Sequence, residues 1–181
     1  MLKFVTGNTH KFKEFQEILW EDQVEQLEID LPELQEIDAQ KIIRHKIQEA
    51  LKHHSGPILI EDTSLYFECL GWTLPWPLIK RFLQEMNNEW LYELAKNHNN
   101  FKAKATILIG YAKNPDTIKF FEWTVEGTIV KPVLTTDFGR DAIFHPIGHN
   151  KPYGAMEKEE KNKISMRRIA LDKLKSFLEN K

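Results

Sequence analysis

Ile58-Leu59-Ile60 restricts the fold more than any other stretch: three aliphatic residues in a row, opened by Ser55-Gly56-Pro57 and running straight into Glu61-Asp62-Thr63. A short apolar run without alternation reads as a strand buried on both faces, and such strands belong to sheets covered by helices. Helices are predicted on either side of it. Behind the apolar run Leu2–Val5, Phe12, Phe15, Ile18 and Leu19 recur at helical spacing, which reads as strand, tight loop, helix. Ile43, Ile47, Ala50 and Leu51 share one face of a helix that Asp38 caps and Ser55-Gly56-Pro57 stops near His54.

The remaining segments complete the pattern. Residues Gln23 to Asp30 alternate weakly and predict a strand ended by Leu31-Pro32. Ser64 to Leu70 either extends the buried strand or pairs with it. Leu74-Pro75-Trp76-Pro77 suits the entry to a helix over Leu78 to Met86, and a short helix follows at Glu89 to Lys96. Two long strands, Lys102 to Ala112 and Ile118 to Val130, are joined through the turn signal Asn114-Pro115-Asp116. Ile164, Leu171, Leu174 and Leu178 predict one C-terminal helix from about Lys158. Helix-linked strands early and an antiparallel pair late make an α/β fold on a mixed sheet. No repeat, low-complexity tract or linker interrupts the 181 residues, so the whole chain, 1–181, is expected to form one domain or two lobes sharing one sheet.

Composition removes whole classes of function. Lys and Arg number 25 against 27 Asp and Glu, a net charge of −2, which argues against a general nucleic-acid binder. With 41% hydrophobic and 29% charged residues the chain is neither disordered nor a coiled-coil rod. No apolar run reaches the length of a membrane span, and the apolar part of the N-terminus is too short for a signal peptide. The one cysteine, Cys69, cannot form an intramolecular disulfide or a cysteine metal site, so a reducing, cytoplasmic setting is expected. None of the seven histidines shows zinc-ligand spacing.

Five segments hold residues capable of chemistry. Thr6-Gly7-Asn8 with Lys11 suits a phosphate, because a loop between strand and helix leaves N–H groups at the positive end of a helix dipole; taken alone, a single glycine after a strand is more often an ordinary turn. Glu61-Asp62 places two carboxylates at the end of a buried strand, where ligand sites of open α/β sheets lie, and a solvated strand end is the other reading. On a regular strand the two acids point to opposite faces. Glu33, Lys46 and Lys80 are surface charges unless the fold gathers them. Phe138-Gly139-Arg140-Asp141 is either a packed loop or a loop that stacks on a nucleobase. Around Lys161, Ser165 and Arg167 the last helix begins with a basic cluster, either a solvated face or a set of directional donors.

In their order along the chain these segments resemble the inosine triphosphate pyrophosphatase family. The resemblance runs from about Lys3 to Leu174. It rests on Phe4-Val5-Thr6-Gly7-Asn8 with Lys11 and Glu14, Ile29-Asp30-Leu31-Pro32-Glu33, Lys46 with Gln48-Glu49-Ala50, and Gly56-Pro57 through Thr63. Ile79-Lys80 with Phe82, Phe138-Gly139 with Asp141, Phe144 and Pro146, and Glu160-Lys161-Asn162 with Ser165 complete it. The resemblance implies an elongated two-lobed fold on a central mixed, twisted sheet, a cleft between the lobes, and a homodimer. It also implies Mg²⁺-dependent cleavage of a nucleoside triphosphate between the α and β phosphates, with Mn²⁺ able to replace Mg²⁺. By position, Asn8, Lys11, Lys46 and Lys80 would meet the phosphates, Glu33 and Asp62 would hold the metal, and Asp62, with Glu61 beside it, would activate water.

The chain departs from the family pattern on the base side. Arg140 stands where the family has an aromatic residue, Ala142 where it has proline, Met166 where it has histidine, and Trp76 where it has glycine. A methionine cannot donate the hydrogen bond that a histidine gives a purine keto oxygen, so the expectation is relaxed or altered base selectivity. The competing expectations are a pyrophosphatase for another modified nucleotide and a catalytically weak nucleotide-binding relative.

Overall fold

In the computed structural model the aliphatic run Ile58-Leu59-Ile60 opens a ten-residue strand whose residues are mostly buried. The structure describes residues 1–19, 24–32, 34, 36–75, 79–133 and 139–180, with the side chains of 79–86 left aside. The strands are β1 (Leu2–Val5), β2 (Val24–Leu27), β3 (Ile58–Phe67), β4 (Lys102–Asn114), β5 (Thr117–Ile129) and β6 (Phe144–Pro146). The helices are α1 (Thr9–Ile18), α2 (Ala39–His53), α3 (Ile79–Asn97), α4 (Lys158–Ile164) and α5 (Met166–Glu179). Ser64 to Leu70 therefore extends the buried strand as far as Phe67, and a short 3₁₀ turn, Glu68–Leu70, ends it.

The six strands form one sheet in the order β2-β1-β3-β4-β5-β6. β1 runs parallel to both neighbours, with Phe4 opposite Gln26 on β2 and Leu59 on β3. β6 runs antiparallel to β5, so the sheet is mixed as its sequence pattern implies. The Asn114 side chain accepts the N–H groups of Asp116 and Thr117, which closes the tight turn between β4 and β5. The strand β6 has only three residues and no periodicity to betray it. Its close approach depends on Gly127, where an added Cβ would meet the His145 carbonyl oxygen and the Phe144 ring at 2.5 Å.

The chain divides into two compact units. One comprises Met1–Asp62, Ile107–Trp123 and Arg167–Lys181; the other comprises Thr63–Thr106 and Thr124–Met166. In the first, Val5, Ile43, Ile47, Ala50, Ile58, Ile60, Leu108 and Ala112 form a buried cluster between α2 and the sheet. Gly110 lets α2 sit against the strand backbone, since a Cβ there would lie 2.4 Å from Ile43 Cγ2.

Of the helical expectations around these breaks, one holds and one is corrected. The two helices expected over Leu78 to Met86 and Glu89 to Lys96 are the two halves of α3, which Asn87 separates: its backbone is not helical (φ 52°), and its side chain caps the second half by accepting the Trp90 N–H. The single helix expected from Lys158 is corrected to two, because Ser165 is extended (ψ 141°) and ends α4 just before α5 begins. Ile164 and Leu171 lie seven residues apart on either side of the break, so the apolar period runs through it unchanged.

Candidate active site

The parallel pairing of β1 and β3 brings the loop after β1 and the acids of β3 to the same edge of the sheet. With Phe4 opposite Leu59, two further residues along each strand set Thr6 level with Glu61. The Thr6 N–H donates to the Leu27 carbonyl, the Thr6 carbonyl accepts from the Gln26 side chain at 2.8 Å, and Thr6 Oγ1 accepts the Asn8 N–H. Asn8 Oδ1 accepts the N–H groups of His10 and Lys11 and so caps α1. Gly7 is neither left-handed nor crowded, because a Cβ there would meet nothing within 4 Å.

β3 separates its two acids as strand alternation requires. Glu61 is buried and Asp62 only half-buried. The Glu61 carboxylate has Lys11 Nζ at 3.3 Å, and the Arg167 guanidinium at 3.4 Å through both Nε and Nη2. Arg167, in the first turn of α5, also donates to the Glu14 carboxylate. Lys11 and Glu14 lie three residues apart on α1, hence on one face. Burial by itself would lower the pKa of Arg167, but the charges of Glu61 and then Glu14 outweigh that and hold it above the ordinary arginine value. The result is a buried cation bracketed by two carboxylates, with an ammonium group at the outer edge of one. Lys46 lies half-buried on α2 of the same unit.

The second unit holds the turn that begins at Gly139. Gly139, Arg140, Asp141 and Ala142 form a 3₁₀ turn. The Asn88 side-chain amide donates to the Gly139 carbonyl at 2.6 Å, Arg140 Nη1 donates to Thr63 Oγ1 at 2.7 Å, and Lys161 Nζ donates to Asp141 Oδ2 at 2.6 Å. Asp141, Lys161 and Ser165 are buried. Tyr153 packs its ring on Phe144 and buries a hydroxyl with no hydrogen-bond partner. Burial, and after it the nearby Asp141 charge, push the pKa of that phenol up.

The structure thus draws Lys11, Glu61 and Arg167 into one contact set, and it brings Asp141 together with Lys161. Thr6, Gly7, Asn8, Lys46 and Asp62 lie in the first unit and Gly139, Arg140 and Ser165 in the second. Glu33 and Phe138, and the side chain of Lys80, lie outside the described residues. Glu14 and Thr63 stand in the sequence motifs without a role of their own, and Asn88 and Tyr153 escape the sequence reading altogether. Glu14 alone had a usable signal, its helical spacing from Lys11. Among the described residues no three His, Cys, Asp or Glu side chains cluster to hold a metal.

Comparison with known proteins bears on the whole chain. Residues 2–177 match the Ham1 family. An inosine triphosphate pyrophosphatase of Schizosaccharomyces pombe is 35% identical over 179 residues, covering 98% of this chain and 94% of its own. One from Scheffersomyces stipitis is 38% identical over 192 residues, covering 97% and 96%. Among solved structures, a HAM1 protein from Coxiella burnetii superposes with a TM-score of 0.87 at 23% identity, covering 100% of both chains. The Staphylococcus aureus Ham1 protein superposes with a TM-score of 0.84 at 24% identity, covering 99% of each. The two solved structures speak for the α/β fold, and the match over residues 2–177 with the two near-full-length relatives establishes that the chain belongs to the Ham1 family.

Proposed function

We propose that this protein hydrolyses nucleoside triphosphates to a nucleoside monophosphate and pyrophosphate, acting on non-standard purines such as ITP, dITP and XTP with relaxed base selectivity. The relatives that carry the name inosine triphosphate pyrophosphatase span nearly the full chain, which supports the reaction class. The observation that carries the reading is the contact set of buried Glu61 and Arg167 with half-buried Lys11 and Glu14. A Cβ at Gly7 would meet nothing within 4 Å among the described residues, so the loop leaves room for a ligand against its backbone. Lys11, held at that edge by Glu61, gives the loop a directed positive charge for a triphosphate, which carries about −4 near neutral pH.

The roles follow from the placements. Thr6, Gly7, Asn8, Lys11, Lys46 and Lys80 hold the phosphates. Glu61 fixes Lys11 and is itself paired with Arg167. Asp62, on the opposite face of the strand, accepts the proton of the attacking water while the α–β anhydride bond breaks and pyrophosphate leaves with the bonding electrons. Asp62 and Glu33 hold Mg²⁺, or Mn²⁺ in its place, which when bound neutralises phosphate charge and acidifies water. Phe138, Gly139, Asp141, Lys161 and Ser165 form the base side, with Arg140 in the turn that carries it. Met166 is buried there and brings no hydrogen-bond donor, which supports the relaxed selectivity. The protein acts as a homodimer in the cytoplasm; its one thiol, Cys69, is half-buried, and no described helix is long and apolar enough to cross a membrane.

The test is pyrophosphate release from ITP, XTP, dITP, ATP, GTP and dUTP, with Mg²⁺ and with a chelator, on the native protein and on Asp62→Asn. Turnover is expected only with the metal, and Asp62→Asn is expected to bind nucleotide while losing about 10²–10⁴-fold in rate. Near-native turnover by Asp62→Asn rules out Asp62 as the base. A sharp preference for ITP and XTP over ATP and GTP rules out relaxed selectivity.

A further inference from the structure

Arg140 stands where the family resemblance expects an aromatic residue, and a planar guanidinium is able to stack on a base. Its surroundings give it another task. The side chain is 12% exposed, Nη1 donates to Thr63 Oγ1 at 2.7 Å, and Nε lies 3.9 Å from Asp141 Oδ1. Thr63 is itself buried and directly follows Asp62 on β3. The neighbouring residues of the turn are anchored elsewhere, Gly139 to Asn88 of α3 and Asp141 to Lys161 of α4. Three consecutive residues are thus tied to three different elements, and the tie from Arg140 runs to the strand that carries Asp62.

We propose that Arg140 is a positioning residue, which acts through Thr63 Oγ1 to hold the Gly139–Ala142 turn to β3 at the residue after Asp62. This inference rests on the pyrophosphohydrolase reading above. A guanidinium fixed in direction by a hydroxyl on one side and a carboxylate on the other keeps the local backbone of β3 in one arrangement. A base seated at the turn is then sensed along β3, and the effect falls on the chemical step rather than on base affinity. Small displacements of a reacting group cost rate steeply, whereas ground-state binding through other contacts is largely preserved.

The experiment measures kcat and KM for ITP and ATP on the native protein and on Arg140→Met, Arg140→Lys, Thr63→Val, Thr63→Ser and Arg140→Met/Thr63→Val, with thermal melting of each. Loss of a charge-assisted hydrogen bond predicts a fall in kcat of about tenfold in Arg140→Met and in Thr63→Val, equal for the two nucleotides. KM is expected to stay nearly unchanged. The double variant should be no slower than the slower single variant, Thr63→Ser should keep native kcat, and Arg140→Lys should recover part of the loss. A native Thr63→Val beside an Arg140→Met raised in KM for one base only overturns the proposal in favour of stacking. Additive losses in the double variant also overturn it, as does a kcat loss that vanishes once the folded fraction from melting is accounted for. Should Arg140→Met fail to fold, Thr63→Val against Thr63→Ser decides the matter alone. A native protein that releases no pyrophosphate from any nucleotide overturns the functional reading and this inference with it, whereas an active native protein with additive variants overturns this inference only.

Discussion

Arg167 is 4% exposed and faces the carboxylates of Glu14 and Glu61. Buried charges are tolerated when paired and become costly when a partner is removed. Arg167→Met therefore leaves two acids in the interior, and the expected loss is about 3–5 kcal/mol of unfolding free energy, read from urea denaturation. Adding Glu61→Gln to that variant should cost less than the sum of the two single changes, because they share one contact set. Full additivity would show that the pair does not act as a unit. Part of this set was legible beforehand. Alternation along β3 separates Glu61 from Asp62, and Lys11 and Glu14 share a helical face. The arrival of Arg167, more than a hundred positions downstream of Glu61, leaves no local trace.

Elements set the next level. Asn8 caps α1 with its side chain, and the same residue is proposed to meet phosphate. Two substitutions separate these tasks. Asn8→Ala is expected to lose about 1 kcal/mol of stability, whereas Asn8→Asp keeps the cap and repels the phosphates. Nucleotide affinity should therefore fall in Asn8→Asp at near-native stability, and an Asn8→Asp protein with unchanged affinity would remove the phosphate role. The helix α2, which carries Lys46, packs against β4 at Gly110. Gly110→Ala forces a methyl group onto Ile43 Cγ2 and Ile47 Cδ1 and should cost about 1–3 kcal/mol by urea midpoint, with partial recovery when Ile47→Val removes the second of these carbons. The existence and type of α1, α2, β3, β4 and β5 follow from periodicity and turn chemistry. The break at Ser165 and the strand β6 do not, because an apolar period of seven passes through the former and the latter is too short to have one.

At the scale of the whole molecule the open question is assembly. Trp72 and Trp90 are each more than a third exposed, and aromatic residues are enriched where subunits meet. Sedimentation equilibrium is expected to return twice the 21.4 kDa chain mass. A mass of one chain would rule out the homodimer, leaving the proposals about Arg167, Asn8 and Arg140 untouched, since each rests on contacts within one chain.

Local chemistry decided a good deal on its own: strand and helix periods, the Asn8 and Asp38 caps, the Asn114 turn, and the ordered motifs that placed the chain among its relatives are written in neighbouring residues, where sterics and hydrogen bonding act over a few positions. Only the tertiary structure decided which charges meet. Whether Glu61 is held by Lys11 and Arg167, whether Arg140 turns to Thr63, and how Lys161 closes on Asp141 depend on side chains from distant segments becoming neighbours. Electrostatic energy is set by separation in space and by burial, and neither is encoded by separation along the chain.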